Sequence, residues 1–420
     1  MRRRLTATVL SGVLGAAGLV AAQPARANFP LPAVVGTNPV DYTPHVTNGT
    51  VWAVAVVGDV VVVGGDFTGV TDGAGRLRYP RRNLFAYRLT TGAVLPWTPA
   101  VDRPVYALAA GADQSVYAGG WFRTVNGVAQ RGLARLSLRD GQRVAGFAAS
   151  INWGDVRALA VHGNRLYVGG TFSMVNGWAR AALARIDARS GAVDRQFNAR
   201  ITAPGLQRPR IEDFALSPDG GRLVVVGAMR FVAGWGRNSL AVLNTAGPTA
   251  LVHNWYTNVY VPPCLVGFDT YVRGVDFAPG GDYFVVVTTG RASGPTAMCD
   301  SAARFNVRGT GPQRPVWVNR TGGDSLYAVA VTPAAVYVGG HQRWMDNPYG
   351  RETAGPGAQP RSGIAALHPV TGRALAWNPG KSRGVGTRAL LATPAGLLVG
   401  SDTERLAAER HARLGMFPTP

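Results

Sequence analysis

Seven positions in this chain carry side chains able to grip a ligand, and they do not repeat one another: Trp52, Tyr106, Arg157, Glu212, Arg273, Tyr327 and Arg388. Each is the second residue of a short apolar alternation. Three aromatic rings offer faces for stacking, three guanidiniums offer planar forks for carboxylates, and one carboxylate is an acceptor. The mixture suits an anionic or sugar-like ligand; the competing reading is that about half of these residues pack in the core. Groups fit for proton transfer are few, and Glu212, Asp213 and His341 are the weak catalytic candidates. The loop at 339–363 is longer than ordinary connections, so it is read as functional or as a cover, with His341, Trp344, Asp346 and Tyr349 as its contact groups. There is no His-Glu-x-x-His, no Gly-x-Ser-x-Gly and no Walker loop, and the six histidines lack metal-ligand spacing. No metal, cofactor or established catalytic residue is therefore called.

The elements that hold these residues form a repeat. The stretches "VVVGGDF", "YAGGWF", "YVGGTF", "VVGAMRF", "VVVTTGR", "YVGGHQ" and "LLVGSDT" recur at intervals of 55, 50, 58, 61, 51 and 61 residues. A period of this size marks a propeller or solenoid. Each unit reads as an alternating first strand, a turn, a second strand running into the Gly-Gly position, a loop, a third strand such as "LARLSL", and a fourth marked by an aromatic. Those aromatics are Trp97, Phe147, Phe197, Trp255, Trp317 and Trp377. The expected fold is all-β: a seven-bladed β-propeller with four antiparallel strands per blade. The last unit stops after its third strand, and "PVDYTPHV" at 39–46 resembles "VLPWTPAV" at 94–101. The N-terminal strand 39–46 is thus expected to complete the last blade and close the ring.

The recurrent residues take structural readings. A side chain at the Gly-Gly pair would obstruct the bend or the neighbouring blade. Phe67, Phe122 and Phe172 plug the core between blades, and "VNG" at 125–127 and 175–177 has Asn-Gly turn chemistry. Arg81, Arg180, Arg237 and Arg361, each just before a third strand, are expected to bond loop carbonyls. Cys264 and Cys299 fall in two connections that emerge on the same face of a blade, so a disulfide is expected; two unpaired thiols are the alternative.

Residues 1–27 read as an export signal: Arg2 to Arg4, an apolar stretch, then Ala25-Arg26-Ala27 as a cleavage site. A single propeller domain over 28–420 would follow, monomeric and without a transmembrane segment, secreted or held at the cell wall. Removing the leader's four arginines leaves 39 basic residues against 23 acidic ones, a formal charge of +16. Lys381 is the only lysine. The arginine excess is either compositional background or the mark of a polyanionic partner, and no basic run or basic helix points to specific nucleic-acid recognition.

The order second strand, Gly-Gly-x-Phe, Val-Asn-Gly, Leu-Ala-Arg-Ile at 167–186 resembles the delta-60 repeat family of β-propellers. The stretches "CDSAARF", "GGHQRWMDNPYG", "AGPGAQPR" and "GLLVGSDTER" are similar to a group of exported actinobacterial propeller proteins. The resemblance spans nearly the whole chain after the leader, implies the fold, and carries no established activity. The expectation is a secreted, non-enzymatic binding or scaffold protein at the cell envelope, engaging a glycan, an anionic wall polymer or another protein. The alternative is a glycan- or lactone-active hydrolase or lyase with a carboxylate and a histidine converging at the channel mouth.

Overall fold

The structure, a computed structural model, describes residues 28–264, 267–291 and 294–420; the leader called at 1–27 lies outside them. All regular structure among the described residues is β, and no helix is long and apolar enough to cross a membrane. The repeat produces antiparallel sheets in chain order. The first joins Val51–Val57, Val60–Gly65 and Leu84–Arg88. Equivalent sheets begin at Val105–Gly111, Val156–His162, Arg210–Leu216, Val272–Phe277, Leu326–Val331 and Thr387–Thr393. Each of these first strands packs against the next, and Thr387–Thr393 packs against Val51–Val57.

Apolar clusters fill the spaces between consecutive units. Phe122 joins Val62, Trp97 and Leu108 between the first and second, whereas Phe67 joins Val61, Leu398 and Met416 between the first and last. The glycines have the role expected of them. A Cβ on Gly169 would come within 2.8 Å of Phe214 and 2.9 Å of Ile211 in the next unit, and one on Gly400 within 2.6 Å of Val51. In the loops, Asn126-Gly127 and Asn176-Gly177 adopt successive positive φ angles, 50° and 75°, then 47° and 78°. This is the turn that joins the two-residue hairpins Met174–Val175 and Trp178–Ala179. Arg81, Arg180, Arg237 and Arg361 each donate to the carbonyl before them and to a carbonyl of the fourth segment: Leu95, Asp194, His253 and Leu375 respectively.

Two expectations need correction. Among the described residues a fourth strand forms only in the sheets ending at Leu251–Val252 and Trp317–Arg320. In four other units it is reduced to one bridge, at Val94, Arg143, Val193 and Ala374. Pro96, Pro99 and Pro379 lack the amide donor a ladder needs, so the outer segments of the first and sixth units leave the sheet early. The N-terminal segment likewise makes single hydrogen bonds to the last strand, Gly36 N to Pro418 O at 2.8 Å and Val40 N to Met416 O at 2.9 Å, but no ladder. Its regular pairing is His45–Val46 with Val70–Thr71.

Cys264 and Cys299 are joined, with Cα atoms 5.6 Å apart. Gly290 lies against the bridge, where a Cβ would meet both cysteine Cβ atoms, at 2.8 and 3.0 Å.

Candidate functional site

All seven non-repeating residues occupy the same backbone feature. In every unit the register between first and second strands shifts across them: Val51 pairs Gly65 and Ala53 pairs Gly64, leaving Trp52 as the extra residue of a β-bulge. The same shift brackets Tyr106, Arg157, Glu212, Arg273, Tyr327 and Arg388. A bulge bends the strand and re-aims a side chain, so a residue due to alternate inward or outward turns with its neighbour toward the axis. Here all seven line one cavity of about 370 Å³, where Trp52 and Ala53, Glu212 and Asp213, Tyr327 and Ala328, and Arg388 and Ala389 share the wall.

The position after the bulge is Ala or Gly in six units; the exception is Asp213. Its Oδ2 accepts from Val275 N at 3.2 Å. Two residues further along, most units have Ala and the fifth has Asp276, which also lines the cavity. Burial pushes the Asp276 carboxyl up to about 8, although its Oδ2 accepts from Val331 N at 2.7 Å and Asn28 Nδ2 at 2.6 Å. Asp276 is absent from the candidates drawn from sequence. Aligning the fifth position of each first strand would have exposed it.

Charge at the mouth is unevenly paired. Arg157 Nη1 donates to Glu212 Oε2 at 2.5 Å and its Nε to Asp155 Oδ1 at 3.1 Å; Arg210 Nε donates to Glu212 Oε1 at 2.6 Å, and Arg273 Nη1 lies 3.6 Å from that oxygen. Burial alone would raise the Glu212 carboxyl. Arg157, Arg210 and Arg273 outweigh it and hold the group below the usual carboxylate range. Arg388 has no carboxylate partner among the described residues. Its guanidinium carbon instead sits 3.9 Å from the Tyr327 ring centroid and 4.9 Å from that of Trp52, and burial lowers its pKa. Trp52 stands edge-on to Tyr106, centroids 5.6 Å apart. Both Arg388 Nε and Trp52 Nε1 are buried donors without an acceptor among the described residues. Chemically, the mouth offers stacking faces and spare cationic donors.

The other candidates lie elsewhere. His341 approaches Tyr327, ring centroids 5.8 Å apart, but does not line the cavity. Its Nδ1 bonds Val385 O at 3.1 Å and its Nε2 accepts from Ser325 N at 3.2 Å, so neither ring nitrogen meets a carboxylate. Trp344 is half-buried under Arg343, whose guanidinium carbon is 4.5 Å from a ring centroid. Asp346 bonds Asn319 Nδ2 at 2.6 Å and Ala374 N at 3.1 Å, while Tyr349 is exposed. Buried Asn347 pins the long loop through Thr321 O, Thr353 O and Gly355 N, making it a built ledge.

One cluster escaped sequence spacing. Asp41, Glu409 and His411 bring ligand-capable atoms within 4.8 Å of one another. The two nitrogens of His411 are already 3.4 Å from Thr43 Oγ1 and 3.2 Å from Glu409 Oε2, which makes the group a tie between the N-terminal segment and the last unit.

A family model described as a β-propeller domain of unknown function (DUF5122) matches residues 164–197. Among solved structures the chain is similar to the crystal structure of the RRP9 WD40 repeats, with a TM-score of 0.55 and 12% identity, over 95% of this chain and 100% of that one. No curated protein matches. At that identity the likeness speaks for fold alone. Successive antiparallel sheets, the partial family match and the WD40 likeness together make this chain a β-propeller.

Proposed function

We propose that the chain is an exported binding protein, a seven-bladed ring tied together by its N-terminal segment, whose channel mouth takes a carboxylate-bearing, sugar-like group of an envelope glycan or wall polymer. The observation that carries this reading is Arg388: a guanidinium without a carboxylate among the described residues, held between Tyr327 and Trp52 at a cavity wall. A planar cation stacked on aromatics is preorganised to receive a carboxylate fork, and the neighbouring rings can stack on a pyranose.

The hydrolase or lyase alternative needs a carboxylate and a histidine in hydrogen-bond reach at the channel mouth. Glu212 is instead engaged by arginines, and the hydrogen bonds of His341 go to Ser325 and Val385. The test is calorimetric titration of the exported protein with galacturonate and with glucose at low salt. Galacturonate should bind, glucose should not, and Arg388→Ala should abolish the signal without lowering Tm. Equal binding of the two sugars, or retention by the variant, would refute the reading.

A further inference from the structure

Beyond the mouth, four tryptophans among the described residues are well exposed: Trp121 at 46%, Trp153 at 44%, Trp178 at 42% and Trp235 at 60%. All four belong to three consecutive units, the second to the fourth. They also share one end of the molecule. In each unit the first strand begins where the second ends, as the pairs Val105 with Gly120 and Val156 with Gly170 show, and the bulge residues lie at that end. Trp121 follows Gly120, Trp153 precedes Val156, and Trp178 and Trp235 sit in the hairpins that join second to third strands.

The fold does not require them. The residues after the Gly-Gly pairs of the other units are Asp66, Thr171 and His341, and the second hairpin begins with Val128 where the next two units have Trp178 and Trp235. Rings this exposed contribute little to the core. Each is accompanied by a cation: Arg103 lies 4.7 Å from a ring centroid of Trp121, Arg208 4.7 Å from Trp153, Arg195 4.3 Å from Trp178 and Arg237 5.9 Å from Trp235. Arg195 and Arg208 have no carboxylate partner among the described residues. At Trp153 and Trp178 the guanidinium on one face leaves the other face for a flat apolar surface and is itself open to an anion, whereas Arg103 pairs with Asp102 at 3.7 Å and buried Arg237 is bonded to Gly236 O and His253 O.

We infer that this arc is a platform for an extended acidic polysaccharide, in which successive pyranose rings stack on the tryptophans and their carboxylates meet Arg195 and Arg208. A uronic-acid chain presents an apolar ring face with a carboxylate at its edge, the complement of the Trp153–Arg208 and Trp178–Arg195 pairs. A lipid surface would be a poorer match, since guanidiniums cover the rings that would have to insert. The inference rests on the glycan reading of the channel mouth and extends it from one sugar to a polymer.

The test compares wild type, Trp178→Ala/Trp235→Ala and Trp121→Ala/Trp178→Ala/Trp235→Ala for binding to polygalacturonate, galacturonate monosaccharide, a neutral glucan, single-stranded DNA and anionic vesicles. Polygalacturonate should bind wild type most tightly, and the triple variant should lose at least about tenfold in affinity. Monosaccharide binding should be unchanged in all three proteins. Equal polymer binding by the triple variant, or preferential binding of the glucan, DNA or vesicles, overturns the platform. Monosaccharide binding without tighter polymer binding removes the platform alone; absence of both removes it together with the glycan reading.

Discussion

Arg157 and Glu212, the bulge residues of two adjacent units, meet at 2.5 Å and tie the mouth of the cavity together. Glu212 also faces Arg210 and Arg273, so a single carboxylate restrains three guanidiniums. Glu212→Gln would leave Arg157 with Asp155 and Arg210 with Asp269 but Arg273 with no carboxylate among the described residues, and should cost about 3 kcal/mol, the lower end for breaking a buried ion pair. The folded carboxyl titrates below its unfolded value, so its stabilisation is complete above the unfolded pKa and is lost as pH falls through the folded one. Thermal unfolding from pH 7 down to pH 3 should therefore show the acid-side decline weakened in the variant. Affinity for an anionic sugar should rise at the same time, because the mouth gains a net positive charge.

The periodicity that revealed the units could not reveal their bulges. An alternation such as "VWAVAV" reads the same with or without an inserted residue, since the extra residue is visible only in the register with the second strand. The repeat did single out seven positions that share one bulge and line one cavity, because they vary where their neighbours recur. His341 and Trp344, drawn from the long loop, lie outside that cavity, with His341 bonded to Val385 O and Trp344 under Arg343. Fourth strands were overcalled for a related reason. The marker aromatic is set by packing, as Trp97 and Trp377 show by donating to Ser137 O and Gly36 O, and that packing needs no ladder.

At the mouth, Arg388→Lys separates charge from shape. The substitution keeps a cation at the wall but removes the planar group stacked on Tyr327 and Trp52. Titration with galacturonate should show affinity reduced about tenfold or more, with Tm little changed. An affinity equal to wild type would mean that the field alone, and not the stacked fork, draws the ligand.

Asp276 gives a pH dependence of opposite sign to that of Glu212. Its folded pKa, pushed up to about 8 by burial, lies far above the ordinary aspartate value. Between roughly pH 4 and pH 8 the folded state then binds the extra proton, so stability falls as pH rises through that window and levels off above it. Asp276→Asn imitates the protonated carboxyl and can still accept the Val331 amide. Melting curves should place the variant above wild type at pH 8, with the two converging as the buffer approaches pH 4.

The Gly169-Gly170 pair supplies a graded test of what the repeat motif is for. A methyl on Gly169 would press on the Phe214 and Ile211 side chains, which can move by tenths of an ångström; a methyl on Gly170 would overlap the backbone carbonyl of Asp155, which cannot. Gly177, in the same stretch of chain, has a positive φ of 78° and no atom within 4 Å of its added Cβ, so alanine there meets only a conformational penalty. Denaturant unfolding should therefore rank the three alanine variants: about 1 kcal/mol lost at Gly177, about 1–3 kcal/mol at Gly169, and more than that at Gly170. Loss of ligand binding with unchanged stability in Gly169→Ala would mean instead that the pair belongs to the site, because a packing element must register its disruption in unfolding before it does so in recognition.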